Sequence, residues 1–133
     1  VMALRWYSTV IEARDHRALA AWWAEAIGWE TAFETDDEVV LWPPWAAELG
    51  SRFSFEQVPP GLVFVPVEHD KQGKNRLHLD FAPHVSEDRD AVIERLLALG
   101  ATRADVGQGD DVTWEVLADP DGNEFCVLSS RES

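Results

Sequence analysis

The residues able to do chemistry gather in two short stretches of this chain. In Arg76-Leu77-His78-Leu79-Asp80-Phe81 the odd positions are apolar and the even ones polar, the period of a strand with one face on a core. His78 and Asp80 then share the other face, where the carboxylate either orients the imidazole or closes an ion pair with Arg76. An imidazole in a concave polar spot donates, accepts or shuttles a proton. Near the C-terminus Glu124, Cys126 and Leu128 also share a strand face, and Glu124 is either a base reaching the site or a solvated rim residue. Cys126, the only cysteine, is read first as a small buried hydrophobe, because Phe125 and Val127 flank it and no adjacent residue lowers its pKa. A soft metal ligand or a thiolate nucleophile are its other readings. The acids of Asp119-Pro120-Asp121-Gly122-Asn123 are explained more simply as turn chemistry. His16, His69 and His84 fall at a helix start or in loops and are read as surface residues.

Seven tryptophans are the unusual feature of the composition. Trp6, Trp42 and Trp114 fall on strand-like runs, where rings either fill a core or wall a pocket for apolar molecules. Trp22 and Trp23 are adjacent on a helix and cannot face one partner, so one belongs to the core and the other to an interface. No phosphate-cradling glycine loop, CxxC pair, GxSxG elbow or HExxH helix is present.

The elements that hold these residues are written twice. A helix over residues 15–27 is capped by Asp15 and ended by Gly28; a second over 86–99 has Ser86 as its N-cap and ends at Gly100. The terminators lie 72 positions apart, and strand-like runs 4–11 and 75–81 precede the helices. Runs 30–35, 38–42 and 62–67 follow the first helix, and 102–106, 112–117 and 124–129 the second. Each half reads strand, helix, three strands. The insert 43–61 carries two proline pairs around a segment, 52–58, read as an edge strand or a lid.

With 133 residues, 46% of them apolar, the chain has material for one domain, module one covering about 1–70 and module two about 74–130. A net charge of −14 argues against nucleic acid and anionic membranes as partners. No run approaches a membrane span, the first residues lack a signal-peptide pattern, and a lone cysteine suits a reducing compartment, so the expected location is cytoplasmic.

The doubled pattern, the helix end Ala26-Ile27-Gly28-Trp29, the segment from Lys74 to Asp80, the run from Leu96 to Thr102 and the stretch from Asp119 to Cys126 resemble the glyoxalase-like proteins of the vicinal oxygen chelate superfamily. The likeness covers nearly the whole chain and is most specific in its second half. It implies an α+β fold of two βαβββ modules, their mixed sheet shaped as a cup with helices outside, and often a homodimer. It implies no single reaction, because the fold hosts isomerases, dioxygenases, metal-dependent resistance enzymes and metal-free antibiotic-binding proteins. Metal-binding relatives place one ligand on the first and last strand of each module. The matching positions are His78 and Cys126 in the second module, and Ser8 (or, two places away, Trp6) and Val65 in the first. A stable site needs about three protein ligands, which this set does not supply.

The reading that follows is a cup without cofactor that binds a small apolar or aromatic organic molecule, sequestering it or modifying it by acid–base chemistry. Trp6, Trp42 and Trp114 are its walls, with Ser8, Val65, His78, Asp80, Glu124 and Cys126 around them and His78 and Glu124 as candidate catalytic groups. The alternative is a divalent-metal lyase, isomerase or dioxygenase in which His78, Cys126 or Glu124, water and substrate complete the coordination, with His78 and Cys126 as the first candidates.

Overall fold

A computed structural model of the chain describes residues 4–48, 57–75, 77–104 and 114–132. Arg76 and most of the 52–58 segment lie outside them. The chain divides into two compact units, Val1–Asp70 and Lys71–Ser133.

The first unit runs β1 (Ser8–Ala13), α1 (His16–Ile27), β2 (Glu30–Glu34), β3 (Val39–Trp42), a short 3-10 turn (Pro44–Glu48) and β4 (Gly61–Pro66). The second runs β5 (Leu79–Phe81), α2 (Arg89–Leu99), β6 (Thr102–Arg103), β7 (Glu115–Ala118) and β8 (Glu124–Val127). Each therefore holds the expected strand, helix and three strands, and the fold is α+β. The sheets repeat one topology, β1-β4-β3-β2 and β5-β8-β7-β6, with the first and last strands of each unit parallel and the remaining pairs antiparallel. No helix among the described residues is long and apolar enough to cross a membrane.

Helix α1 begins where Asp15 Oδ1 accepts the Ala18 amide at 3.1 Å, and ends at Gly28, whose φ of 71° suits a residue without Cβ. Leu19, Ala20 and Trp23 on its inner face are buried, and α1 packs on β3 and β4, whose Val39, Leu41, Leu62 and Phe64 complete the core of this unit. Trp22 is half-buried and meets Trp23 edge-on, with ring centroids 5.0 Å apart. In the second unit Leu117, Phe125 and Val127 occupy one sheet face and are buried, as are Ile93 and Leu96 of α2. Phe81 meets Phe125 edge-on at 5.8 Å, and Arg103 on β6 reaches Glu115 on β7 and, at 3.7 Å, Glu94 on α2.

Several boundaries differ from the sequence reading. The first strand starts at Ser8, so Trp6 precedes it, 64% exposed, with its indole donating to the Ser8 carbonyl. The strand expected from residue 75 pairs only over Leu79–Phe81, with Phe125, Cys126 and Val127 of β8, so His78 sits just before it. The N-cap of α2 is Asp88, not Ser86, whose hydroxyl and amide are both engaged by His84 Nδ1, at 2.8 and 3.1 Å. His16 is buried and not a surface residue, because it occupies the first turn of α1 on the helix's inner side.

The Asp119–Asn123 segment forms a turn around one buried carboxylate. Asp119 is 3% exposed and accepts from the amides of Asp121 and Asn123, both at 2.9 Å, and from the Asn123 side chain at 3.1 Å, while Gly122 takes a φ of 88°. Asp119→Ala orphans these donors beside β8. It is expected to lower stability by about 2–3 kcal/mol, read as a fall in the urea midpoint with an unchanged slope.

Candidate functional site

The register of the second sheet decides which side chains meet. Asp80 lies opposite Cys126, and Cys126 opposite Val116, so these three share a face, joined by Glu124 two residues back along β8. It is the face turned away from buried Leu117, Phe125 and Val127. A cavity of about 470 Å³ opens on it, within the roughly 300–1,000 Å³ of small-molecule sites. Trp114, Val116 and Leu128 form its apolar wall, and His78, Asp80, Cys126, Glu124, Lys74 and Asn75 its polar side.

His78 Nε2 stands 3.1 Å from Asp80 Oδ1, and both side chains are about half exposed (54% and 50%). Cys126 is buried beneath them. Burial raises its thiol pKa, and the charge of Asp80 and a hydrogen bond to it add to the effect, so the sulfur keeps its proton at neutral pH. The Asp80 carboxylate thus joins an imidazole and a thiol. One ligand atom from each of the three residues lies within 4.8 Å of the others, a nitrogen, oxygen and sulfur set that suits a borderline cation such as zinc.

Glu124 is held differently. Lys71 Nζ reaches its Oε1 at 3.3 Å and Lys74 Nζ its Oε2 at 3.2 Å, while the Asn75 amide donates to its backbone carbonyl at 3.3 Å. Burial raises the Glu124 pKa, but hydrogen bonds and charge from Lys74 and Lys71 outweigh it, and the net shift is downward. Both carboxylate oxygens are occupied, which makes Glu124 a poor proton acceptor at neutral pH and an anchor for two ammonium groups.

The structure thus brings His78, Asp80, Trp114, Glu124 and Cys126 to one cavity. Ser8, Trp42 and Val65 lie in the first unit. Their register puts Ser8 opposite Gly61 and Val65 opposite Glu12, so with Trp42 they share the sheet face opposite buried Leu41, Leu62 and Phe64. Lys71 and Lys74 were not among the site residues read from the sequence. One signal was available: they are the only two lysines in the chain, and they lie three residues apart.

A model of the glyoxalase-like domain matches residues 8–128. Solved structures share the fold. A glyoxalase/bleomycin resistance protein/dioxygenase family enzyme from Burkholderia phytofirmans PsJN is 18% identical, with a TM-score of 0.68 over 95% of this chain and 98% of that one. The fosfomycin resistance protein FosX from Mesorhizobium loti is 13% identical, with a TM-score of 0.67 over 96% and 92%. FosX from Listeria monocytogenes, solved with Mn(II) and sulfate, is 14% identical, with a TM-score of 0.69 over 97% and 92%. At such identities the likeness is one of fold. No curated protein matches the chain significantly.

Proposed function

Because this chain belongs to the glyoxalase-like domain family, we propose that the cavity of its second module binds a small, largely apolar organic molecule and moves a proton on it without a metal. The observation that carries this reading is the His78–Asp80 contact of 3.1 Å at the wall of a cavity whose other side is Trp114, Val116 and Leu128. Asp80 fixes the ring through Nε2, which leaves the remaining nitrogen to exchange a proton with the bound molecule. Trp114, 37% exposed, offers a ring face for stacking. The carboxylate of Asp80 is satisfied by its two neighbours, and the first-module positions Ser8 and Val65 carry neither imidazole nor carboxylate. The molecule acts in the cytoplasm, as a homodimer.

A second reading rests on the convergence of His78, Asp80 and Cys126 within 4.8 Å. These three would hold a divalent cation, which supplies Lewis-acid activation of a bound oxygen. Binding it requires Cys126 to shed the proton that burial and Asp80 retain, so cation and proton compete and uptake rises with pH.

Tryptophan fluorescence and thermal shift against a panel of aromatic and aliphatic molecules test the first reading. Quenching by at least one compound that disappears in Trp114→Phe is expected; silence across the panel contradicts the reading. Elemental analysis of the purified protein tests the second. One tightly held equivalent of zinc, manganese, nickel or iron, lost on His78→Ala, establishes the metal and overturns the metal-independent account.

A further inference from the structure

The cavity wall holds an ammonium group whose hydrogen-bonding capacity is not used up by the fold. Both lysines of a chain with net charge −14 converge on one carboxylate, Glu124, across 53 and 50 residues of sequence. Lys71 is 22% exposed and has two acceptors, donating to the Gly73 carbonyl at 2.6 Å and to Glu124 Oε1 at 3.3 Å. Lys74 is 63% exposed, and among the described residues its one partner is Glu124 Oε2, so protons of its ammonium remain for a ligand. Lys71 and Lys74 balance Glu124 and Asp80 in charge, and of the two lysines Lys74 is the one that lines the cavity with N–H donors to spare. Asp80, the other carboxylate lining the cavity, is occupied by His78.

We propose that the ligand is an organic carboxylate: its apolar body lies on Trp114, Val116 and Leu128, and its anionic group sits on Lys74. The inference rests on the reading of the cavity as a small-molecule site and names the class of molecule it takes. The division of labour follows from the contacts. Glu124, 14% exposed on β8, fixes the direction of both lysines, Lys71 neutralises it from the buried side, and Lys74 presents its charge to the cavity. A chain this acidic repels anions at long range, so holding one requires a local cation built into the site. Spacing along β8 makes the site two-ended: Glu124, with the lysines, and Leu128 lie on the same face on either side of Cys126. A carboxylate on Lys74 therefore leaves the ring of the same molecule over Trp114, with the reacting part near His78.

Binding of benzoate, phenylacetate and 1-naphthoate to the full chain, each compared with its neutral amide, tests this by calorimetry or tryptophan quenching. Each acid is expected to bind about tenfold more tightly than its amide, the effect of one charge-assisted hydrogen bond. Raised salt weakens the acids alone. Lys74→Met brings acid affinity down to that of the amide and leaves the amide unchanged, and Lys74→Arg restores most of the difference. Acids and amides binding equally, or a difference that survives K74M, overturn the carboxylate subsite while the cavity reading stands. If neither acids nor amides bind, the cavity reading falls and the subsite with it.

Discussion

Replacing His78 with alanine is expected to slow turnover of the cavity's substrate by about 10²- to 10⁴-fold, the range that one positioned acid–base group supplies. On the proposed reading the loss falls on kcat, because the ligand is held by Trp114, Val116, Leu128 and Lys74, which the substitution leaves in place. Asp80→Asn removes the charge that steadies the ring while keeping its shape, so activity drops less than in His78→Ala. Stability separates this role from a structural one. Both side chains are half exposed, and each variant is expected to unfold within about 0.5 kcal/mol of the parent in urea. A large fall in stability with unchanged kcat assigns the pair to the fold instead.

The second large effect is expected at Glu124. Glu124→Gln leaves Lys71 and Lys74 facing a neutral amide, with Lys71 largely shielded from water, and is expected to cost about 2 kcal/mol after allowance for partial solvent screening. The pH dependence has a definite sign. The folded-state pKa of Glu124 is depressed below its unfolded value, so its contribution is complete above the ordinary carboxylate pKa and is lost as the pH falls through the depressed value. The parent and E124Q therefore differ most near neutrality and converge in acid, which urea denaturation over that range measures. A gap that persists undiminished in acid assigns the loss to packing and not to charge.

Local signals made the architecture legible. Asp15, Gly28 and Gly100 mark helix ends by their own backbone chemistry, and the strand, helix, three-strand order appears twice because each module repeats it. Alternation also placed His78, Asp80, Glu124 and Cys126 on common faces, since strand period alone determines that. Pairing extent was not legible: Leu77 and His78 continue the alternation of β5, yet its ladder with β8 covers only Leu79–Phe81. Ser86 is a good cap on paper, but His84 takes its hydroxyl and amide, and the helix starts after Asp88 instead. The lysine clasp on Glu124 stayed hidden for a further reason. Long-range ion pairs leave no periodic trace, and a linker rich in Asp, Lys, Gln and Gly reads as solvated until the fold brings it beside β8.

The most direct test of a metal-independent ligand site in the second module is an amide and indole NMR correlation spectrum of the metal-stripped chain, titrated with 1-naphthoate. The expected result is a set of shifts confined to the Trp114 indole and to amides within 74–80, 114–116 and 124–128, complete without added cation. Shifts centred on Trp6 or Trp42 in the first unit, or shifts that appear only after zinc or manganese is supplied, would contradict it.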